Sequence, residues 1–255
     1  MSRRVIVAAN WKMNGDSALV DSMVSGLAGM ESSNVEVIIC PCFPYLSALE
    51  QKIQTANLNE VIYIGSQTVS RFPGGAHTGE VSASMLKDLG IKYVIVGHSE
   101  RRSLYNETSE QVANKVNAVL DAGLSPILCI GETGEERENG KTESVLLSQI
   151  QPVIDEVGIE NFSDVVISYE PVWAIGTGNP ASSAMAQETH YFIRQLIAKQ
   201  SEQVAANISL LYGGGVNEAN CEELFEQHVI EGGLVGGASL KAEQFKFICS
   251  AAIGK

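Results

Sequence analysis

Asp164–Ala181, DVVISYEPVWAIGTGNPA, reads as a strand that hands a carboxylate to a loop. The apolar run Val165 to Tyr169 has the composition of a parallel strand buried on both faces, and Glu170 stands at its end. The next eleven residues mix glycine and proline with apolar side chains, Trp173 and Ile175 among them. Water-facing loops seldom carry such side chains unless they cover something. Pro171, Val172 and Trp173 at one end, and Asn179, Pro180 and Ala181 at the other, stiffen the loop, while Gly176-Thr177-Gly178 leaves an adaptable tip. The stretch therefore predicts a strand, a base and a lid that moves as a unit. The ordinary alternative for Glu170 is a solvated strand end. The apolar lid argues against it.

Seven further β-rich runs accompany this one: Val5 to Ala9, Val35 to Cys40, Val61 to Gly65, Lys92 to Val96, Ser125 to Ile130, Ile208 to Tyr212 and Gly233 to Val235. Helical periodicity fills the intervals, near residues 17–30, 44–56, 80–89, 106–122, 138–156, 182–200, 217–227 and 241–253. Strict alternation predicts a parallel sheet with right-handed crossovers. Eight units in 255 residues predict an α/β fold, a closed parallel (β/α)8 barrel forming one domain over residues 1–255. An open doubly wound sheet is the structural rival, because patterning does not reveal closure. No linker, low-complexity segment or strong repeat divides the chain.

Hydrophobic residues make up 45% of the sequence, enough for a sizeable core. A net charge of −13 argues against nucleic acid or an anionic membrane as partner, since both need a basic surface. An anionic small substrate would have to be held by local dipoles. The five cysteines contain no CxxC pair, so neither a disulfide framework nor a zinc site is indicated, and a reducing cytoplasm fits best. No apolar run approaches membrane-spanning length.

In such a barrel the active site forms at the carboxyl ends of the strands. Reading those places in turn gives Asn10 and Lys12 after the first strand, His98, Ser99 and Glu100 after the fourth, and Glu170 after the sixth. Gly213-Gly214-Gly215 follows the seventh and Gly236-Gly237 the eighth, where barrels commonly bind phosphate. Backbone N–H groups at Gly176, Gly215, Gly236 and Gly237 can hold phosphate without lysine or arginine. Lys12 has a surface role as its alternative, His98 a structural one, and the glycines simple turns. Gly176 to Ala181 also fits the loose GxGxxG/A dinucleotide pattern. The fit is poor, because Pro171 to Ile175 intervene where a tight turn is needed and no acidic residue ends the next strand.

Six motifs carry a resemblance to a known family: Asn10-Trp11-Lys12-Met13-Asn14-Gly15, Gly97-His98-Ser99-Glu100-Arg101-Arg102, Cys129-Ile130-Gly131-Glu132-Thr133, Tyr169 to Gly178, Tyr212-Gly213-Gly214 and Leu234 to Ser239. Through them the chain resembles triosephosphate isomerase along essentially its whole length. The resemblance implies a TIM barrel that interconverts dihydroxyacetone phosphate and D-glyceraldehyde 3-phosphate in glycolysis and gluconeogenesis. It gives Glu170 the part of base, neutral His98 that of donor to the developing oxyanion, Lys12 a positive charge and Asn10 the orientation of the carbonyl; the base, the histidine and the lid are worked examples of general enzymology. It further implies that Glu100 supports Lys12, that Ser99 holds Glu170 in an open position, and that Tyr212 belongs to the supporting shell. No metal or organic cofactor is implied. A homodimer is, with the loop around residues 66–80 entering the partner and Thr78 reaching the partner's Asn10 and Lys12.

Three departures qualify the match. Gly215 stands where the family commonly has serine, which removes a hydroxyl that bonds the closed lid and predicts a less firmly closed one. Asn179 precedes Pro180 where the second hinge usually begins with lysine, so opening kinetics are expected to differ. Thr68 and His77 replace residues more often Asn and aromatic in the dimer loop. The alternative function is a catalytically weak phosphate-binding barrel of the same fold.

Overall fold

The computed structural model describes residues 3–31, 33–177 and 180–255. Its eight strands are β1 (Val5–Asn10), β2 (Val35–Cys40), β3 (Ile62–Ser66), β4 (Tyr93–Val96), β5 (Ser125–Ile130), β6 (Val166–Tyr169), β7 (Ser209–Tyr212) and β8 (Gly232–Val235), and they close in sequence order into a barrel. Every neighbouring pair is parallel, and β8 returns to β1 with Ile6 opposite Gly232. Closure excludes the open sheet. A parallel strand with helices outside and side chains inside has two dry faces, which is why runs such as Val5–Asn10 are buried throughout.

The two faces separate into two cores. Ile6, Ala8, Ile38, Tyr93, Ile95, Ile127, Cys129, Val166 and Leu211 fill the barrel interior. The alternate residues, Val5, Val7, Ala9, Val37, Ile39, Ile167 and Leu210, meet the helices. Alternation decides the site as well: Val166, Ser168 and Glu170 form one inward series, so the residue after β6 points over the barrel mouth.

Helices α1 (Ser17–Leu27), α2 (Leu46–Thr55), α3 (Ala83–Asp88), α4 (Ser99–Tyr105), α5 (Ser109–Asp121), α6 (Gly134–Glu138), α7 (Thr142–Val157), α8 (Ser183–Ala198), α9 (Glu202–Asn207), α10 (Cys221–Glu226) and α11 (Ala242–Ala251) make up the outer layer among the described residues. Their starts are written in the sequence. Asp16, Ser82, Ser182 and Ser201 accept a first-turn N–H, and Thr108 with Gln111 and Thr133 with Glu136 form reciprocal caps.

Two sequence-predicted helices need correction. The span 106–122 begins too early, because Asn106 lies at φ 54° and ends α4, leaving Thr108 to cap α5. The span 138–156 also begins too early: a separate short helix, α6, ends at Glu138, and Gly140 at φ 66° parts it from α7, which begins at Thr142. Short α4, α6 and α9 lack the length from which periodicity can be read. No helix among the described residues is long and apolar enough to cross a membrane.

Candidate active site

The end of β1 and the segments that follow β1, β4 and β6 bring Asn10, Lys12, His98, Glu100 and Glu170 to one end of the barrel. Lys12 sits at φ 54°, a left-handed conformation that costs a non-glycine residue roughly 1–2 kcal/mol. Three groups hold it there. The Asn10 side chain accepts the Lys12 N–H at 3.0 Å, while Gln67 Nε2 and Cys42 Sγ donate to the Lys12 carbonyl at 2.8 and 2.9 Å. The ammonium reaches Glu100 Oε1 at 2.6 Å. Asn10 therefore acts on Lys12 as well as lining the mouth, and Gln67 and Cys42 complete a clamp around it.

His98 caps α4, its Nδ1 accepting the Glu100 N–H at 3.2 Å. A nitrogen that accepts from an N–H carries its lone pair there, so the ring is neutral with its proton on Nε2. Glu100 Oε2, 3.7 Å from Nδ1, is too far to compete. The Nε2 side faces Glu170 Oε1 at 3.4 Å. Glu170 itself is 2% exposed, and its Oε2 accepts the backbone N–H of Ser99 at 3.1 Å. Ser99 thus holds the carboxylate through its amide.

Glu170 is also fixed from behind. Its N–H donates to the Ile130 carbonyl at 2.7 Å, and a Cβ at Gly131 would stand 1.7 Å from the Glu170 carbonyl oxygen. Only glycine permits that approach. Arg102 braces the same wall, donating to the carbonyls of Gly97 at 2.8 Å and Cys129 at 3.2 Å.

The lid is tied at both ends. Glu132, with no solvent exposure, accepts from Tyr169 at 3.0 and 3.1 Å, from Trp173 Nε1 at 3.1 Å and from Arg137 at 2.9 Å. At the far end the Tyr212 hydroxyl accepts the Ala181 N–H and donates to the Gly214 carbonyl, both at 3.1 Å. Val172–Ala174 forms a 3-10 turn behind Pro171, the stiff first end that the sequence predicts. Gly178 and Asn179 lie outside the described residues, and so does the expected effect of Asn179 on the second hinge.

Gly176 lies at φ 71° and Gly215 at φ 96°, where an added Cβ would meet the Ala174 carbonyl oxygen at 3.5 Å. A serine at Gly215 would be strained in this conformation. A Cβ at Gly236 would meet the Lys12 Cε at 3.6 Å, and one at Gly237 would meet open space. The glycine turn after β8 and the lysine therefore adjoin. Thr78 is exposed in the loop after β3, and His77 stacks on Phe72 at 4.1 Å. Thr68 has a partner in Lys115, whose Nζ donates to its hydroxyl at 3.0 Å. No cluster of His, Cys, Asp and Glu among the described residues could hold a metal ion.

Behind the lid anchors, His190 of α8 is fully buried between Tyr169 and Tyr212, with ring centroids at 5.6 and 6.3 Å. Burial pushes its pKa down to about 4, helped by the positive charges of Arg194 and Lys255. The unfolded chain takes up this proton near pH 6.5 and the folded one does not, so stability is lost as pH falls from about 6.5 toward 4. The full loss is about 3 kcal/mol. Urea unfolding at pH 7, 5.5 and 4.5 is expected to show a stability gap between the parent and His190→Gln that narrows with acid. Parallel losses would remove His190 from the account.

A closed (β/α)8 barrel with a carboxylate, a neutral imidazole and an ammonium at the carboxyl ends of its strands belongs to the class of barrel enzymes that do acid–base chemistry at that face. The family model for triosephosphate isomerase matches residues 5–252. A triosephosphate isomerase of Colwellia psychrerythraea is 72% identical over the whole of both chains, and one of Hydrogenovibrio crunogenus is 51% identical over 98% of each. A third, from Pseudoalteromonas translucida, is 47% identical over 99% of this chain and 98% of its own. The chain belongs to the triosephosphate isomerase family.

Proposed function

We propose that this chain interconverts dihydroxyacetone phosphate and D-glyceraldehyde 3-phosphate with Glu170 as the base. The observation that carries the reading is the buried Glu170 carboxylate, 3.4 Å from the protonated nitrogen of a neutral His98. Proton abstraction beside a carbonyl needs a base kept from water and a donor for the oxygen that gains charge. Glu170 removes a proton from the carbon beside the carbonyl and returns one to the neighbouring carbon. His98 Nε2 donates to the enediolate oxygens, Lys12 supplies positive charge, and Asn10 orients the carbonyl while fixing the Lys12 backbone. Ser99 and Glu100 hold Glu170 and Lys12 ready.

Phosphate is bound by the amides of Gly176, Gly215, Gly236 and Gly237. This arrangement suits a chain of net charge −13, whose overall field repels the substrate. Lid closure over residues 171–181 excludes water and keeps the enediolate from losing phosphate. Tyr212 anchors the far end of that lid. Every group in this scheme comes from the chain itself.

The working unit is a homodimer. Met13 is 93% exposed and Tyr105 67%, and both line a cavity of about 300 Å³ shared with Lys12 and His98. Apolar side chains so placed beside catalytic groups favour a covering partner, and the loop carrying Thr78 is the segment proposed to enter it. Purified protein supplied with glyceraldehyde 3-phosphate is expected to form dihydroxyacetone phosphate at rates typical of metabolic enzymes or above. A folded protein with no turnover would overturn the assignment.

A further inference from the structure

Ser168 faces the barrel interior two residues before Glu170, on the same face of the same strand. Its register partners are Cys129 on β5 and Leu211 on β7, both members of the interior core. The side chain is completely buried, and its hydroxyl has no hydrogen-bond partner. Buried hydroxyls without partners are destabilising and rare. Packing alone would be better served by alanine.

The surroundings say where a partner can come from. A Cβ at Gly213 would lie 2.9 Å from Ser168 Oγ and 2.8 Å from Glu170 Cγ, so hydroxyl and carboxylate stem converge on one spot that a glycine keeps open. Cys129 stands alongside; burial and the Glu170 carboxylate hold its thiol well above the ordinary range, so it remains protonated. In the observed pose Glu170 Oε2 rests on the Ser99 N–H at 3.1 Å. A base that moves onto a substrate carbon must give up that donor. A carboxylate in a dry barrel mouth then needs another.

We infer that Ser168 is a positioning residue for Glu170, its hydroxyl donating to the carboxylate from the barrel side once the Ser99 N–H has been released. Ser168 touches no substrate. The inference rests on the reading of Glu170 as the base.

The test compares Ser168→Ala, Ser168→Cys and Glu170→Gln by steady-state isomerisation of glyceraldehyde 3-phosphate and by thermal unfolding. Ser168→Ala is expected to lower kcat by about 3- to 10-fold, the range of one ordinary hydrogen bond, with KM within about 2-fold. Its Tm is expected to equal or exceed the parent's, because an unpaired buried hydroxyl has been removed. Ser168→Cys, a weak donor of similar size, falls between parent and alanine. Unchanged kcat in Ser168→Ala, or a fall in kcat that tracks a fall in Tm with cysteine no better than alanine, overturns the inference. An inactive Glu170→Gln beside a fully active Ser168→Ala overturns this inference alone. A fully active Glu170→Gln overturns the base assignment with it.

Discussion

Glu170→Gln is expected to lower kcat by about 10³-fold or more, roughly 4 kcal/mol of transition-state stabilisation, while KM stays within a few-fold of the parent's. Glutamine keeps the length and volume of the side chain but offers no site of useful basicity. It also disturbs the resting pose, since an amide nitrogen turned toward the Ser99 N–H would set donor against donor where Oε2 now accepts at 3.1 Å. Ground-state binding is largely spared, because the proposed phosphate contacts are backbone amides that the substitution leaves in place. The split between kcat and KM is therefore the informative reading. A variant that keeps kcat within about 10-fold of the parent would place the base elsewhere.

Lys12→Met is expected to reduce kcat/KM by about 10²- to 10³-fold, with both kcat and KM affected, as for loss of one oxyanion-stabilising group. Methionine preserves most of the stem packed near Gly236 and deletes the charge that rests on Glu100 at 2.6 Å. Stability is expected to change little, within about 1 kcal/mol, since both members of that ion pair are partly solvated and Glu100 remains hydrated without its partner. Steady-state kinetics and thermal unfolding on one preparation separate the two effects. A collapse of Tm together with activity would mean that Lys12 holds the loop and does little for the reaction.

How much of this was legible in the sequence follows from what each feature depends on. The barrel shows because eight apolar runs alternate with helical ones, and Glu170 shows because it ends one of them. Closure does not show, since the pairing of Ile6 with Gly232 joins the two ends of the chain. The glycine turns after β7 and β8 are visible as composition. Their conformations, such as φ 96° at Gly215, are not.

The supports of the site were the least legible. Gln67 and Cys42 hold the Lys12 carbonyl across 55 and 30 residues of sequence, and neither lies in a pattern that singles it out. Glu132 appears within a family motif, yet its role as the acceptor for Tyr169, Trp173 and Arg137 depends on where β5 and β6 end in space. In the sequence Ser168 is merely one residue of an apolar strand. A single hydroxyl does not alter hydropathy enough to mark the floor of a site. Asn106 and Gly140, which break two predicted helices, did carry a local signal in residue types that tolerate positive φ.

The central claim is that hydrogen leaves one carbon as a proton, passes through the Glu170 carboxylate and arrives at the neighbouring carbon as a proton. Isomerisation in D2O, followed by NMR of the product, tests this most directly. A carboxyl group holding the abstracted proton exchanges with solvent whenever the lid admits water, so the account predicts deuterium in part of the product, at the carbon that receives the proton. Glu170→Gln should lose the isomerisation and the labelling together. Turnover that never places deuterium on that carbon, and that persists in Glu170→Gln, would mean that hydrogen moves without the carboxylate, and Glu170 would not be the base.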